Sequence, residues 1–100
     1  MSEEMRPKLP VHIRKNAEVD NEIVNLRRSF AEEIEWKSDG DEFTIEFPIT
    51  PFAEQTFVVP AGGSVSSGPV RPDAPITRYY YNVTNVALAM SADPGVDIKK

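Results

Sequence analysis

Few residues in this chain are of the types that ordinarily carry chemistry. His12 is the only histidine and there is no cysteine, so no second imidazole or thiolate is at hand to share a metal, and no thiol nucleophile exists. His12 reads as a half-exposed strand histidine. Ser64, Ser66 and Ser67 follow Gly62 and Gly63, but a nucleophile elbow needs a second glycine two residues after its serine, and Ser66 stands there. Asp39, Asp41 and Glu42 resemble a fragment of a calcium loop. An EF-hand needs glycine at its sixth position and a bidentate glutamate at its twelfth, whereas Gly40 falls between the first two acids. These acids read as a solvated turn. Asn82-Val83-Thr84 is a glycosylation sequon inside a β-prone run, and it reads as incidental. No catalytic residue, metal site or cofactor is expected.

The elements that position these groups are strands. From Glu33 to Pro48 the sequence is EIEWKSDGDEFTIEFP. Ile34 and Trp36 alternate with charged residues before the polar turn, and Phe43, Ile45 and Phe47 alternate with Glu42, Thr44 and Glu46 after it. The pattern predicts a hairpin with one wet face, its Asp39-Gly40 turn taking positive φ. Val11 and Ile13 alternate with His12 and Arg14 as a strand does. Glu22–Arg27 is favoured as a strand because Ile23 and Val24 are β-branched, yet its spacing also fits a helical turn, and a short helix fits Arg27–Glu32. Further strands are expected at Gln55–Val59, Ser64–Ser67, and Val96 with Ile98. The longest β-prone run, Ile76–Thr84, is expected to be a central strand with Tyr79, Tyr81 and Val83 on one face and Tyr80 and Asn82 on the other. Asn85–Asp93 reads as an apolar loop or one helical turn.

The hydrophobic fraction of 40% in 100 residues suits one domain, expected over residues 11–100 after a flexible tail at 1–10. Residues 1–50 hold 7 Lys+Arg against 12 Asp+Glu, and residues 51–100 hold 4 of each. This balance lacks the basic stripe that a nucleic-acid surface needs. No apolar run approaches the roughly 20 residues of a membrane span. Met1–Pro10 has no apolar block of the signal-peptide kind, so a cytoplasmic protein is expected, or an exported one if the chain is a trimmed mature form.

Three features then recur in an order that resembles the cupredoxins, the small blue-copper β-sandwiches. Trp36, followed by Phe43-Thr44-Ile45-Glu46-Phe47, is similar to the family's W-x-N, polar loop and H-T-V-x-F. Tyr79-Tyr80-Tyr81-Asn82-Val83 resembles its Y-x-F/Y-x-C strand, and Asp93-Pro94-Gly95-Val96-Asp97-Ile98 its terminal strand. The resemblance covers roughly residues 11–98 and implies an all-β, cupredoxin-like Greek-key sandwich of seven or eight strands with room for one short helical turn. Carried over position by position, the family's copper ligands fall on Phe43, Val83 and Val86, with Met90 near the axial methionine. Three side chains without donor atoms cannot replace two imidazoles and a thiolate, so Phe43, Val83, Val86 and Met90 are expected to be packing.

The remaining functional signal is aromatic. Tyr80 faces away from the expected core, and Phe52 sits in a proline-flanked connection, so both are candidates for a partner surface. The resulting expectation is a copper-free binding or structural module, not an enzyme, with a protein or small-molecule partner and no nucleic acid or membrane. The alternatives are a small-molecule or carbohydrate binder that uses tyrosines, and an accessory domain or subunit of a larger enzyme assembly.

Overall fold

The computed structural model describes residues 8–14, 18–85 and 94–100. Alternating apolar and polar side chains become strands with one buried face: β1 (Lys8–Ile13), β2 (Ile23–Arg27), β3 (Glu33–Ser38), β4 (Phe43–Glu46), β5 (Thr56–Val59), β6 (Ser64–Ser66), β7 (Arg78–Tyr80), β8 (Asn82–Thr84) and β9 (Gly95–Lys99). The fold is all-β. Its helical content among the described residues is one 3-10 turn, Arg28–Phe30, closed by Ala31 in the left-handed region at φ 51°. The ambiguous segment thus resolves as strand followed by that turn. β1 begins at Lys8, three residues ahead of the expected start of order at Val11.

Three small sheets form, ordered β1-β3-β6, β2-β9-β7 and β5-β4-β8. The β1–β3 and β2–β9 pairs are parallel and the others antiparallel. One core cluster draws side chains from all three sheets. Trp36 of β3 is its centre: completely buried, it meets Phe57 at 5.2 Å, Tyr81 at 5.7 Å and Phe47 at 6.1 Å between ring centroids. Aromatic pairs at such separations and tilts add to the area they bury.

Two expectations of pairing are overturned. β3 and β4 do not form a hairpin: β3 lies between β1 and β6, and β4 between β5 and β8. The five apolar residues of the stretch do share one interior, but Ile34 and Trp36 enter it from one sheet and Phe43, Ile45 and Phe47 from the β4 side. Gly40 accordingly has no positive φ, and the turn is held instead by Ser38, whose Oγ donates to the Asp41 carbonyl and accepts from the Gly40 N–H at 3.2 Å. Ile76–Thr84 is likewise no single central strand. It breaks at Tyr81, so that β7 borders β9 and β8 borders β4, each at a sheet edge, and nine strands result among the described residues in place of seven or eight. The Tyr81 N–H is given to Pro94 O at 3.0 Å, which anchors the crossing point.

The link from β2 to β3 is clamped by a buried acid. Glu32 is 4% exposed and takes the Arg27 backbone N–H at 2.6 Å, with Arg27 Nε and Nη2 on its second oxygen at 3.2 and 3.0 Å. Charge-assisted bonds of this kind satisfy a carboxylate out of water. The same guanidinium covers the Phe30 ring at 4.1 Å.

Candidate functional site

Two of the positions matched to copper ligands, Phe43 and Val83, are hydrophobic core. Phe43 is 1% exposed and Val83 is fully buried. Ile45 pairs with Val83 and Thr44 with Thr84, which puts Phe43 diagonally across from Val83 on the same inner face. Val86 and Met90 lie outside the described residues.

Phe52 is not a surface residue. It is 1% exposed and packs edge-on against Phe47 at 5.6 Å and Phe57 at 6.1 Å. The cause is local: Thr50 Oγ1 accepts the Phe52 N–H at 3.0 Å and donates to Glu54 O at 2.8 Å, winding the proline-flanked segment so that the ring turns inward. Strand periodicity carried no sign of this, although the Thr50-Pro51 pair is a turn signal. Tyr80 does face outward, at 52% exposure.

The other candidate groups are engaged structurally. His12 has a side chain 47% exposed, with Nδ1 3.5 Å from Asp20. Ser64 Oγ bonds Glu35 at 3.3 Å and Ser66 Oγ bonds Glu33 at 2.5 Å. Buried Ser67 accepts the Ile34 N–H at 3.0 Å. None of these serines has a histidine beside it in its bonding. Among the described residues no three His, Asp or Glu side chains group as metal ligands, and no helix is long and apolar enough to cross a membrane.

What the fold does build lies on its outer face, and Pro48 is the reason. The β4–β8 ladder pairs Glu46 with Asn82, and continued for two more residues it would set Pro48 opposite Tyr80. Proline has no N–H to give, so the ladder stops and the chain turns away. The main chain of Tyr80 is not taken up by β9 either. Ile98 N–H bonds Thr77 O and Tyr81 N–H bonds Pro94 O, so alternate residues on either side of Tyr80 face β9 while Tyr80 faces the gap. A recess of about 280 Å³ opens there, lined by Pro48, Ile49, Thr77, Arg78, Tyr79 and Tyr80. Its walls are apolar, and Ile49 beside it is 73% exposed. A second recess of the same volume shares Pro48 and carries Glu46, Gln55, Thr56 and Asn82. Gln55 Nε2 is held by Pro48 O at 3.1 Å. Sequence reasoning found Tyr80 here and missed Ile49, Glu46 and Asn82, although Pro48 at the end of an alternating run was the available signal.

Charge around Tyr80 is fixed by a bidentate pair. Arg78 Nε and Nη2 reach the two Asp97 oxygens at 2.5 and 3.0 Å. The bonds to Arg78 hold the Asp97 carboxyl below the usual range, and the bonds to Asp97 hold Arg78 firmly protonated. Gly95 stands opposite Tyr80 on β9, where an added Cβ would come within 3.3 Å of Ile23 Cδ1 and of Tyr79 O. Gly95 itself brings no side chain over the Tyr80 ring.

No family model matches the chain, and a comparison with curated proteins also finds no match.

Proposed function

We propose that the chain is a copper-free, cupredoxin-like binding module, a Greek-key β-sandwich that works through its outer face and not through catalysis. The supporting observation is the burial of Phe43 and Val83 on one inner face, at 1% and 0% exposure, at the positions the resemblance gives to a histidine and a cysteine. Neither side chain has a donor atom, so the residues there do not fit copper and no redox step is derived through it. The alternation of Trp36, Phe43, Ile45 and Phe47 into one core also supports the reading.

With Phe43 and Val83 buried by packing, the outer recesses beside Tyr80 are the surface proposed for recognition, by a small molecule or a protein partner. Titration with copper(II) tests the module reading: the protein is expected to stay colourless and to melt at an unchanged temperature. An intense blue charge-transfer band that disappears on unfolding would overturn it.

A further inference from the structure

We infer that the two recesses flanking Pro48 form one binding site for a neutral saccharide, with the Tyr80 ring as the stacking platform. The inference rests on the binding-module reading and supplies its ligand class.

A pyranose has an apolar face of C–H groups and a rim of hydroxyls, so it needs a flat apolar surface edged by groups that both donate and accept. Tyr80 supplies the surface. It is 52% exposed, and its partner across the ladder is Gly95, so the ring is not covered from that side. Pro48 and Ile49 extend the apolar floor. The edge is the neighbouring recess, where the Glu46 carboxylate accepts, the Asn82 amide donates and accepts, and the Thr56 hydroxyl does both. Glu46 and Asn82 are cross-strand partners, and Pro48 lines both recesses, so floor and edge adjoin at that residue. Each recess is about 280 Å³. Joined through Pro48, they reach the range of roughly 300–1,000 Å³ usual for small-molecule sites.

Electrostatics narrows the ligand class. A cation over Tyr80 meets the Arg78 guanidinium, which lines the same recess. An anion meets Glu46, and the charge of Arg78 is already balanced by Asp97, which takes its Nε and Nη2. A neutral polyol is opposed by neither.

The test is a two-dimensional amide NMR titration of the full chain with cellotetraose, xylotetraose, maltotetraose and chitotetraose, each to about 10 mM, since shallow sites of this kind bind weakly. At least one sugar is expected to shift the amides of Glu46, Tyr80 and Asn82. Tyr80→Ala is expected to weaken binding at least about tenfold, and Tyr80→Phe, which keeps the platform, to stay within about threefold of the native affinity. Tyr80 faces solvent, so all three spectra should show the same fold. No shifts with any sugar, shifts confined to another face, equal binding by Tyr80→Ala, or tighter binding of tetraethylammonium than of any sugar would each overturn the inference. Copper(II) added to the same samples separates the two readings: silent copper with silent sugars sinks only the saccharide site, whereas a blue band sinks the module reading itself.

Discussion

Removing one oxygen atom from the core is expected to stabilise this protein. Tyr81 is 1% exposed, and its hydroxyl has no hydrogen-bond partner. The indole N–H of Trp36 is also buried without a partner, and the two rings meet edge-on at 5.7 Å. A buried polar group left unpaired costs about 1–3 kcal/mol, against which Tyr81→Phe forfeits only the contacts of one oxygen. We expect Tyr81→Phe to gain about 1 kcal/mol, which in a domain of this size raises Tm by roughly 4–8 °C. The effect should grow with pH. Burial pushes the Tyr81 phenol from 10.0 up to about 12, opposed in part by the leaning indole N–H, which falls short of hydrogen-bond geometry. Between those two values the unfolded chain has released the proton while the folded chain keeps it. The unfolded state then binds fewer protons, and stability falls as pH rises, by about 1.4 kcal/mol per pH unit. Stability is therefore retained below pH 10 and is lost toward pH 12, by on the order of 2–3 kcal/mol in all. Tyr79 is also raised by burial and contributes to alkaline loss in both proteins, so the difference between wild type and Tyr81→Phe isolates Tyr81. Urea midpoints at pH 7, 9, 10.5 and 11.5 give the comparison. A variant less stable at pH 7, or a gap that does not widen above pH 10, would refute the assignment of an unpaired, buried hydroxyl.

Four further substitutions probe the core, the outer face of β3 and the turn before it. Trp36→Ala should cost about 3–5 kcal/mol while Glu35→Ala, on the opposite face of β3, should cost about 0.5 or less; equal melting of the two would reverse the faces. Val83→Ala should lower stability by about 1–3 kcal/mol without raising apolar-dye binding by the native protein, and strong dye binding at undiminished stability would mean a pocket in place of packing. Ala31→Gly should raise stability by about 0.5–1 kcal/mol, because Ala31 holds φ 51° where glycine carries no Cβ penalty, and a fall would mean that the Ala31 methyl packs usefully.

The sequence revealed which side chains face inward far better than it revealed which strands pair. Burial follows the period of two within a single strand, so Trp36, Phe43, Ile45, Phe47, Tyr79, Tyr81 and Val83 all sit inside as their spacing implied. Pairing depends on the whole chain. An Asp-Gly turn between two alternating runs is the usual hairpin signal, yet here it joins strands of different sheets, and nothing in the spacing of residues 33–48 distinguishes the two outcomes. The break at Tyr81 was hidden for the same reason: Tyr79, Tyr80 and Tyr81 are all good strand residues, and the change of partner is imposed by Pro94 and by the neighbouring strands. At the candidate site Tyr80 was legible from alternation alone. Phe52 was misread because a threonine-capped turn, not strand geometry, sets its direction. Glu46 and Asn82 became neighbours only through the β4–β8 register.

The placement of β9 has a consequence for how the chain acquires its structure. β9 lies between β2 and β7, pairing in parallel with a strand from the first third of the sequence. Until Gly95–Lys99 is available, β2 and β7 have no partner in that sheet, and Val24, Leu26 and Tyr79 lack the strand that carries Val96 and Ile98 alongside them. Bringing together segments so far apart adds a loop-closure cost that grows only slowly with length but must be met before the contacts repay it. Folding should therefore be slow for a domain of this size and cannot be completed before Gly95–Lys99 is available. A nascent chain stalled before Gly95 would present two unpaired strands with apolar faces, the kind of edge at which β proteins aggregate.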